Sequence, residues 1–168
     1  IYRDQGLYLD ALKSFEESLN LDNELKNFTR KAESLNNIGL IYLDESNYPV
    51  ALKRFEEAHQ IAEKSEDRQS NAKYINNVGL AFLYQGKYTE AWKKCNQALG
   101  IYKDLEDNVG IANSQYRLGL IYLEQKSYAE ALKNHQDALS NLIQTGSEKV
   151  PLVKVLRSNI KMIKAKVK

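Results

Sequence analysis

The sequence predicts an all-α fold, a right-handed α-solenoid of antiparallel helix pairs closed by a terminal helix. Three observations predict it. Leu35-Asn-Asn-Ile-Gly-Leu-Ile-Tyr42 returns as Ile75-Asn-Asn-Val-Gly-Leu-Ala-Phe82 and as Gln115-Tyr-Arg-Leu-Gly-Leu-Ile-Tyr122, each forty residues after the last. A fixed period of this length marks stacked structural repeats. Gly39, Gly79 and Gly119, and likewise Ala51, Ala91 and Ala131, keep that interval. Within each unit apolar residues fall three and four apart, the spacing of an amphipathic helix.

Taken in order, residues 1–26 read as a partial unit. Tyr2, Tyr8, Ala11 and Phe15 align with Tyr42, Tyr48, Ala51 and Phe55. Ile1–Asp4 then reads as the end of a first helix, Gln5-Gly6-Leu7 as a turn, and 8–25 as a second helix. The full units occupy 27–66, 67–106 and 107–146, with helices expected at 28–45, 48–65, 68–85, 88–105, 108–125 and 128–145. Between paired helices stand the short polar segments Glu45-Ser-Asn47, Gln85-Gly-Lys87 and Gln125-Lys-Ser127, as antiparallel neighbours require. Pro49 falls in a first turn, where its missing donor costs little. Ser127 and Glu130 have the spacing of a capping box. Asn27, Asp67, Asp107 and Ser147 stand forty apart, and all four are strong N-cap residues.

Residues 147–168 depart from the pattern, with Pro151 near the start and Asn159 in the place of the glycine. Leu152, Leu156, Ile160, Ile163 and Val167 keep one apolar stripe, so a helix over 149–166 is expected to cap the core of the preceding unit. The formal charge of +2 hides an asymmetry: this end carries seven basic residues against Glu148, while residues 1–146 hold 17 basic and 21 acidic. A lysine-rich end can meet nucleic acid or an anionic membrane. Here the apolar stripe is committed to the core and no aromatic residue interleaves with the lysines for base stacking, so a solvated capping helix is the expectation.

Composition sets further bounds. At 43% hydrophobic and 27% charged residues, the chain suits a folded globular protein. No apolar run approaches the roughly 20 residues of a membrane span. The chain begins inside a repeat, which suggests a piece of a longer protein. The single cysteine, Cys95, favours a reducing, cytoplasmic setting.

The glycine of each unit is expected to let paired helices approach closely against the alanine of the second helix. Tyr42, Phe82, Tyr122, Tyr48, Tyr88 and Tyr128 fill the wider parts of the same layer. Catalytic signals are lacking: there is no metal-ligand spacing, phosphate loop or nucleophile motif. His135 aligns with Phe15, Phe55 and Cys95, which predicts a packed histidine, and Cys95 reads as a small core hydrophobe. No cofactor and no enzymatic activity are expected.

Gly39-x-x-Tyr42, Tyr48-x-x-Ala51, Phe55 and Ala58 resemble the tetratricopeptide repeat, and the match recurs over nearly the whole chain. The period of forty exceeds the usual 34 of that family, and the proline that normally ends the unit is absent. This longer form is similar to the repeats of kinesin light chains, Pins-type spindle-orientation adaptors and bacterial Rap/PlcR-type peptide receptors. The paired asparagines are most like those of kinesin light chain repeats.

The resemblance implies that first helices line a concave groove that takes a peptide or a segment of a partner protein. Mapped onto this chain, the groove residues are Asn36, Asn37, Leu40 and Leu43 from the first unit. The second supplies Lys73, Asn76, Asn77, Leu80 and Tyr84, and the third Asn113, Tyr116, Arg117 and Leu120. Asparagine suits backbone recognition, since its amide offers a donor and an acceptor. The same asparagines could instead hydrogen-bond between helices. Four such contacts at about 1 kcal/mol each fall short of the roughly 8 kcal/mol of micromolar binding, so leucines and Tyr84 must supply side-chain pockets. Lys73 and Arg117 are the only candidates for a basic pair that holds a carboxylate. An interaction module is the leading reading. The peptide-sensing part of a larger signalling or transcription regulator is the second.

Overall fold

The computed structural model describes residues 2–166, with side chains described from Leu9 onward except Asn23. Among the described residues the chain forms eight helices and no strand: α1 (Tyr2–Glu24), α2 (Phe28–Asp44), α3 (Tyr48–Lys64), α4 (Arg68–Tyr84), α5 (Tyr88–Asp104), α6 (Asn108–Glu124), α7 (Tyr128–Gln144) and α8 (Pro151–Lys166). Each helix packs on the next in sequence, and α4 also packs on α6. That is the layout of an α-solenoid. Even helices form one layer and odd helices the other, and the closer approach of α4 to α6 puts the even layer on the concave side.

Every connection is built the same way. Lys26, Ser46, Glu66, Gly86, Glu106, Lys126 and Gly146 all have positive φ, between 53° and 73°, and each is the left-handed residue that stops a helix. At the α6–α7 turn, Lys126 N–H donates to Leu123 C=O at 3.0 Å and Ser127 N–H to Tyr122 C=O at 2.8 Å, which closes the helix without side-chain help. Between units a cap is added. Asn27, Asp67 and Asp107 accept from the backbone N–H of Arg30, Ser70 and Gly110 at 3.2, 3.0 and 2.9 Å.

Four local expectations are corrected. α1 runs unbroken through Gln5-Gly6-Leu7, because the four residues before that turn are too few to nucleate a helix of their own. Ser127 makes no side-chain capping bond, the backbone bonds of the turn having already fixed the entry to α7. Ser147 does not open α8, which starts at Pro151; a residue before proline is driven away from helical dihedrals. In α8 the fully buried residues are Val153, Leu156 and Ile163, with Leu152 and Ile160 half-buried. The alignments of Tyr2 and Tyr8 lie outside the described side chains, and Val167 outside the described residues.

The core repeats as the sequence does. Ala51, Ala91 and Ala131 are fully buried, as are Phe55, Cys95 and His135. The latter three, one turn beyond the alanines, are what the unit glycines face. A Cβ on Gly39 would lie 2.6 Å from the Phe55 ring, on Gly79 2.7 Å from Cys95 Sγ, and on Gly119 2.6 Å from the His135 ring. The close approach is therefore mainly to a side chain, with backbone (Ala91 O and Cys95 N, both 3.3 Å) near only at Gly79. Phe55 packs with Leu43, Ala51, Val78 and Ala81, and the next layer with Leu83, Ala91, Leu118 and Ile121 around Cys95. α8 buries Val153 and Leu156 against Ala112, Ala138 and Leu142.

Candidate peptide groove

The even layer carries a groove of about 550 Å³ that crosses α2, α4 and α6. Leu40 borders it from α2, Lys73, Asn76 and Asn77 from α4, and Asn113 and Arg117 from α6. These six expected residues are brought together. Gln69, Ser70, Tyr102, Asp107, Val109 and Gly110 complete the wall and were not anticipated, because they belong to a cap, to helix starts and, for Tyr102, to the end of α5 rather than to the repeated mid-helix motif. The Asp107 cap was the only visible signal.

Four expected groove residues are placed elsewhere. Leu43 is buried in the core beside Phe55, since it lies one turn past Gly39 on the side that meets α3 and α4. Asn36 is 0% exposed. Its Oδ1 accepts from Asn77 Nδ2 at 2.6 Å, and its own Nδ2 faces Asn37 Oδ1 at 3.4 Å. Asn37 and Leu80 are partly buried and border neither the groove nor the recess described below.

Arg117 extends this ladder into the third unit. One guanidinium nitrogen donates to the Asn76 carbonyl and the other to Asn77 Oδ1, the latter at 2.9 Å. The asparagine pair thus serves two masters: it ties α2 to α4, and it holds an arginine from α6. Burial keeps the Arg117 pKa below the ordinary guanidinium value, and the Cys95, Tyr102, Tyr84 and Tyr116 side chains push the other way. Arg117 has no carboxylate partner among the described residues, and Asn76 Oδ1 has no hydrogen-bond partner. One buried acceptor, Asn76 Oδ1, is therefore left over beneath the groove, which is unusual for a buried group.

The walls are set by close packing. Gly110 lets Tyr102 lie under α6, where a Cβ would meet its ring at 2.2 Å, and burial pushes the Tyr102 phenol up to about 12. Asn113 is turned onto its own helix, Nδ2 donating to Val109 C=O at 2.9 Å. Across the junction Gln69 donates to Asp107 at 3.1 Å, and Arg68 pairs with Asp104 at 2.8 Å.

A second recess of about 450 Å³ adjoins the α4–α5 turn. Here the structure gathers the remaining expected residues, Tyr84, Tyr116 and Leu120, with Leu83, Gly86, Tyr88 and Glu124. Elsewhere the chemistry is closed. Cys95 is sealed in the core, burial raising its thiol to about 11. His135 is fully buried. No group of three His, Cys, Asp or Glu side chains that could hold a metal ion occurs among the described residues. No described helix is long and apolar enough to cross a membrane.

Comparison with known proteins accords with this geometry. The tetratricopeptide repeat family model matches residues 1–64 and 69–144. No curated protein is detectably similar in sequence. Among solved structures, BtubC (BKLC) from P. vanneervenii superposes with a TM-score of 0.79 at 14% identity, over 95% of this chain and 66% of that one. The apo form of RapI does so with a TM-score of 0.78 at 18% identity, over 96% of this chain and 45% of RapI. A Rap protein complexed with Competence and Sporulation Factor gives 0.73 at 15% identity, over 91% of this chain and 48% of that protein. At such identities the likeness is one of fold. The chain spans less than half the length of both Rap proteins.

Proposed function

This chain belongs to the tetratricopeptide repeat family, and from that premise we propose that it is a non-catalytic interaction module whose groove across α2, α4 and α6 takes an extended peptide or a segment of a partner protein. The observation that carries the reading is the groove itself: about 550 Å³, within the size range of ligand sites, and lined by the polar side chains of Lys73, Asn76, Asn77, Asn113 and Arg117. A peptide backbone supplies donors and acceptors at regular intervals and can use them. Lys73 and Arg117 are offset by Asp107 in the same wall, so a peptide of mixed charge fits better than a strongly acidic or basic one. Support also comes from the Rap protein whose structure holds Competence and Sporulation Factor. A reducing, cytoplasmic setting suits the single buried thiol.

The second reading, a peptide sensor within a larger regulator, draws on the Asn36–Asn77–Arg117 ladder. It joins three successive first helices, so a ligand competing for Arg117 changes how the units are held together.

The test is peptide selection from a displayed library, followed by affinity measurement on Lys73→Glu and Asn113→Ala. Both side chains border the groove without holding another unit in place. Affinity should fall at least fivefold in each, consistent with about 1 kcal/mol per contact. Unchanged affinity in both, with helicity intact, would mean that the ligand sits elsewhere.

A further inference from the structure

The recess beside the α4–α5 turn differs in chemistry from the groove next to it. We propose that this recess is a specificity pocket for a cationic side chain, lysine or arginine, of the bound peptide. The inference rests on the groove reading above and adds what the ligand must carry.

Both of its exposed-edge tyrosines break the repeat. Tyr84 stands where the other units have Asp44 and Glu124, and Tyr116 where they have Asn36 and Asn76. The scaffold therefore does not require an aromatic ring at either place. Tyr84 is 52% exposed, so its ring is open to a ligand.

Both rings are also held still. Tyr84 stacks on Tyr48 with centroids 5.4 Å apart and planes 15° from parallel. Tyr116 meets His135 edge-on at 5.6 Å. A ring fixed in advance loses little entropy when a ligand arrives.

The remaining wall selects the sign of the charge. Glu124 is its only ionisable side chain other than tyrosine, and no lysine, arginine or histidine borders it. An anion would face a carboxylate and the electron-rich faces of rings. A purely apolar side chain would strip water from Glu124 and the phenols without replacing those hydrogen bonds. A cation is attracted by both features, to the ring faces through their quadrupoles and to the carboxylate by charge. Of the groove's own cations, Lys73 lies well before Tyr84 on α4, whereas Arg117 directly follows Tyr116 and is drawn to the groove side by the Asn76 carbonyl and Asn77 Oδ1. From Asn113 to Leu120 the rise along α6 is about 10 Å, so an extended peptide spans both sites with a few residues.

The probe is acetyl-arginine methylamide, with acetyl-citrulline methylamide as its neutral isostere, titrated into the ¹⁵N- and ¹³C-labelled chain by NMR. The arginine compound should shift Tyr84, Gly86 and Leu120 resonances and bind at least fivefold more tightly than citrulline. Glu124→Gln should erase most of that difference, and Tyr84→Ser should weaken arginine binding at least fivefold. Equal binding of the two compounds, shifts confined to other parts of the chain, or an unaffected Glu124→Gln variant would overturn the proposal. The two readings fail separately. Selected peptides that need Lys73 and Asn113 yet show no basic residue at a fixed position sink the pocket and leave the groove. Arginine binding at Tyr84 without any peptide binding sinks the groove and leaves the pocket.

Discussion

Asn77 Nδ2 lies 2.6 Å from Asn36 Oδ1, joining two residues 41 positions apart in the sequence. Both are buried, and Asn77 also receives the Arg117 guanidinium at 2.9 Å. In a solenoid, stability is largely the sum of each unit and its interface with the next. A polar bond at the centre of such an interface fixes how the units are set against each other.

Replacement of Asn77 by alanine should therefore cost about 2–3 kcal/mol, because it leaves the buried Asn36 Oδ1 without its donor and takes an acceptor from the partly buried Arg117 guanidinium. Leu40→Ala at the groove edge, 37% exposed, should cost much less. Urea midpoints for the two variants decide the matter. A loss at Asn77→Ala below about 0.5 kcal/mol would mean that the ladder does not hold the units together.

This ladder also marks where the sequence stopped being informative. The period of forty, the recurring glycine and the caps placed most helix ends within a residue or two, since each depends on local dihedrals or local periodicity. Whether Asn36 meets a peptide or Asn77 depends on the rotation of α2 against α4, and no repeat within one unit reports that. The positive-φ residues were similarly hidden: only Gly86 and Gly146 of the seven are glycine, so five of the stops carry no sequence mark. That Tyr84 and Glu124 line one recess was invisible for the same reason as the ladder, because they lie forty residues apart on adjacent units. Gly6 misled in the opposite direction, looking like a turn where the helix simply continues.

Two helical glycines should respond oppositely to alanine. At Gly100 a Cβ meets nothing within 4 Å, so Gly100→Ala should stabilise by about 1 kcal/mol through helix propensity alone. At Gly79 the same gain is opposed by Cys95 Sγ at 2.7 Å and by backbone at 3.3 Å, an overpacking cost of about 1–3 kcal/mol. Overpacking should win, and Gly79→Ala should destabilise. Adding Cys95→Ala removes the nearest atom, so the double variant should be more stable than the sum of the singles predicts, by about 0.5–3 kcal/mol. Strict additivity in thermal or urea unfolding would show that the two sites do not touch.

His135 makes the stability of the third unit depend on pH. Its Nδ1 lies 2.9 Å from the Ala131 carbonyl, so that nitrogen carries the proton and donates. Nε2 then faces the Asn159 amide nitrogen at 3.5 Å as an acceptor, which describes a neutral ring. Burial lowers its pKa from the ordinary value, and the bond to Ala131 offsets part of that. The unfolded chain, with the higher pKa, binds the proton first as pH falls. The histidine's contribution is therefore fully present above about pH 6.5, the unfolded value, and is lost as pH drops toward the folded pKa. Phe55 fills the equivalent place opposite Gly39, so His135→Phe should fit the same space and lack this proton. Urea midpoints measured at about pH 7.5 and about pH 5.5 should differ more in the wild-type chain than in His135→Phe. Equal pH dependence in the two would assign the acid sensitivity to other groups.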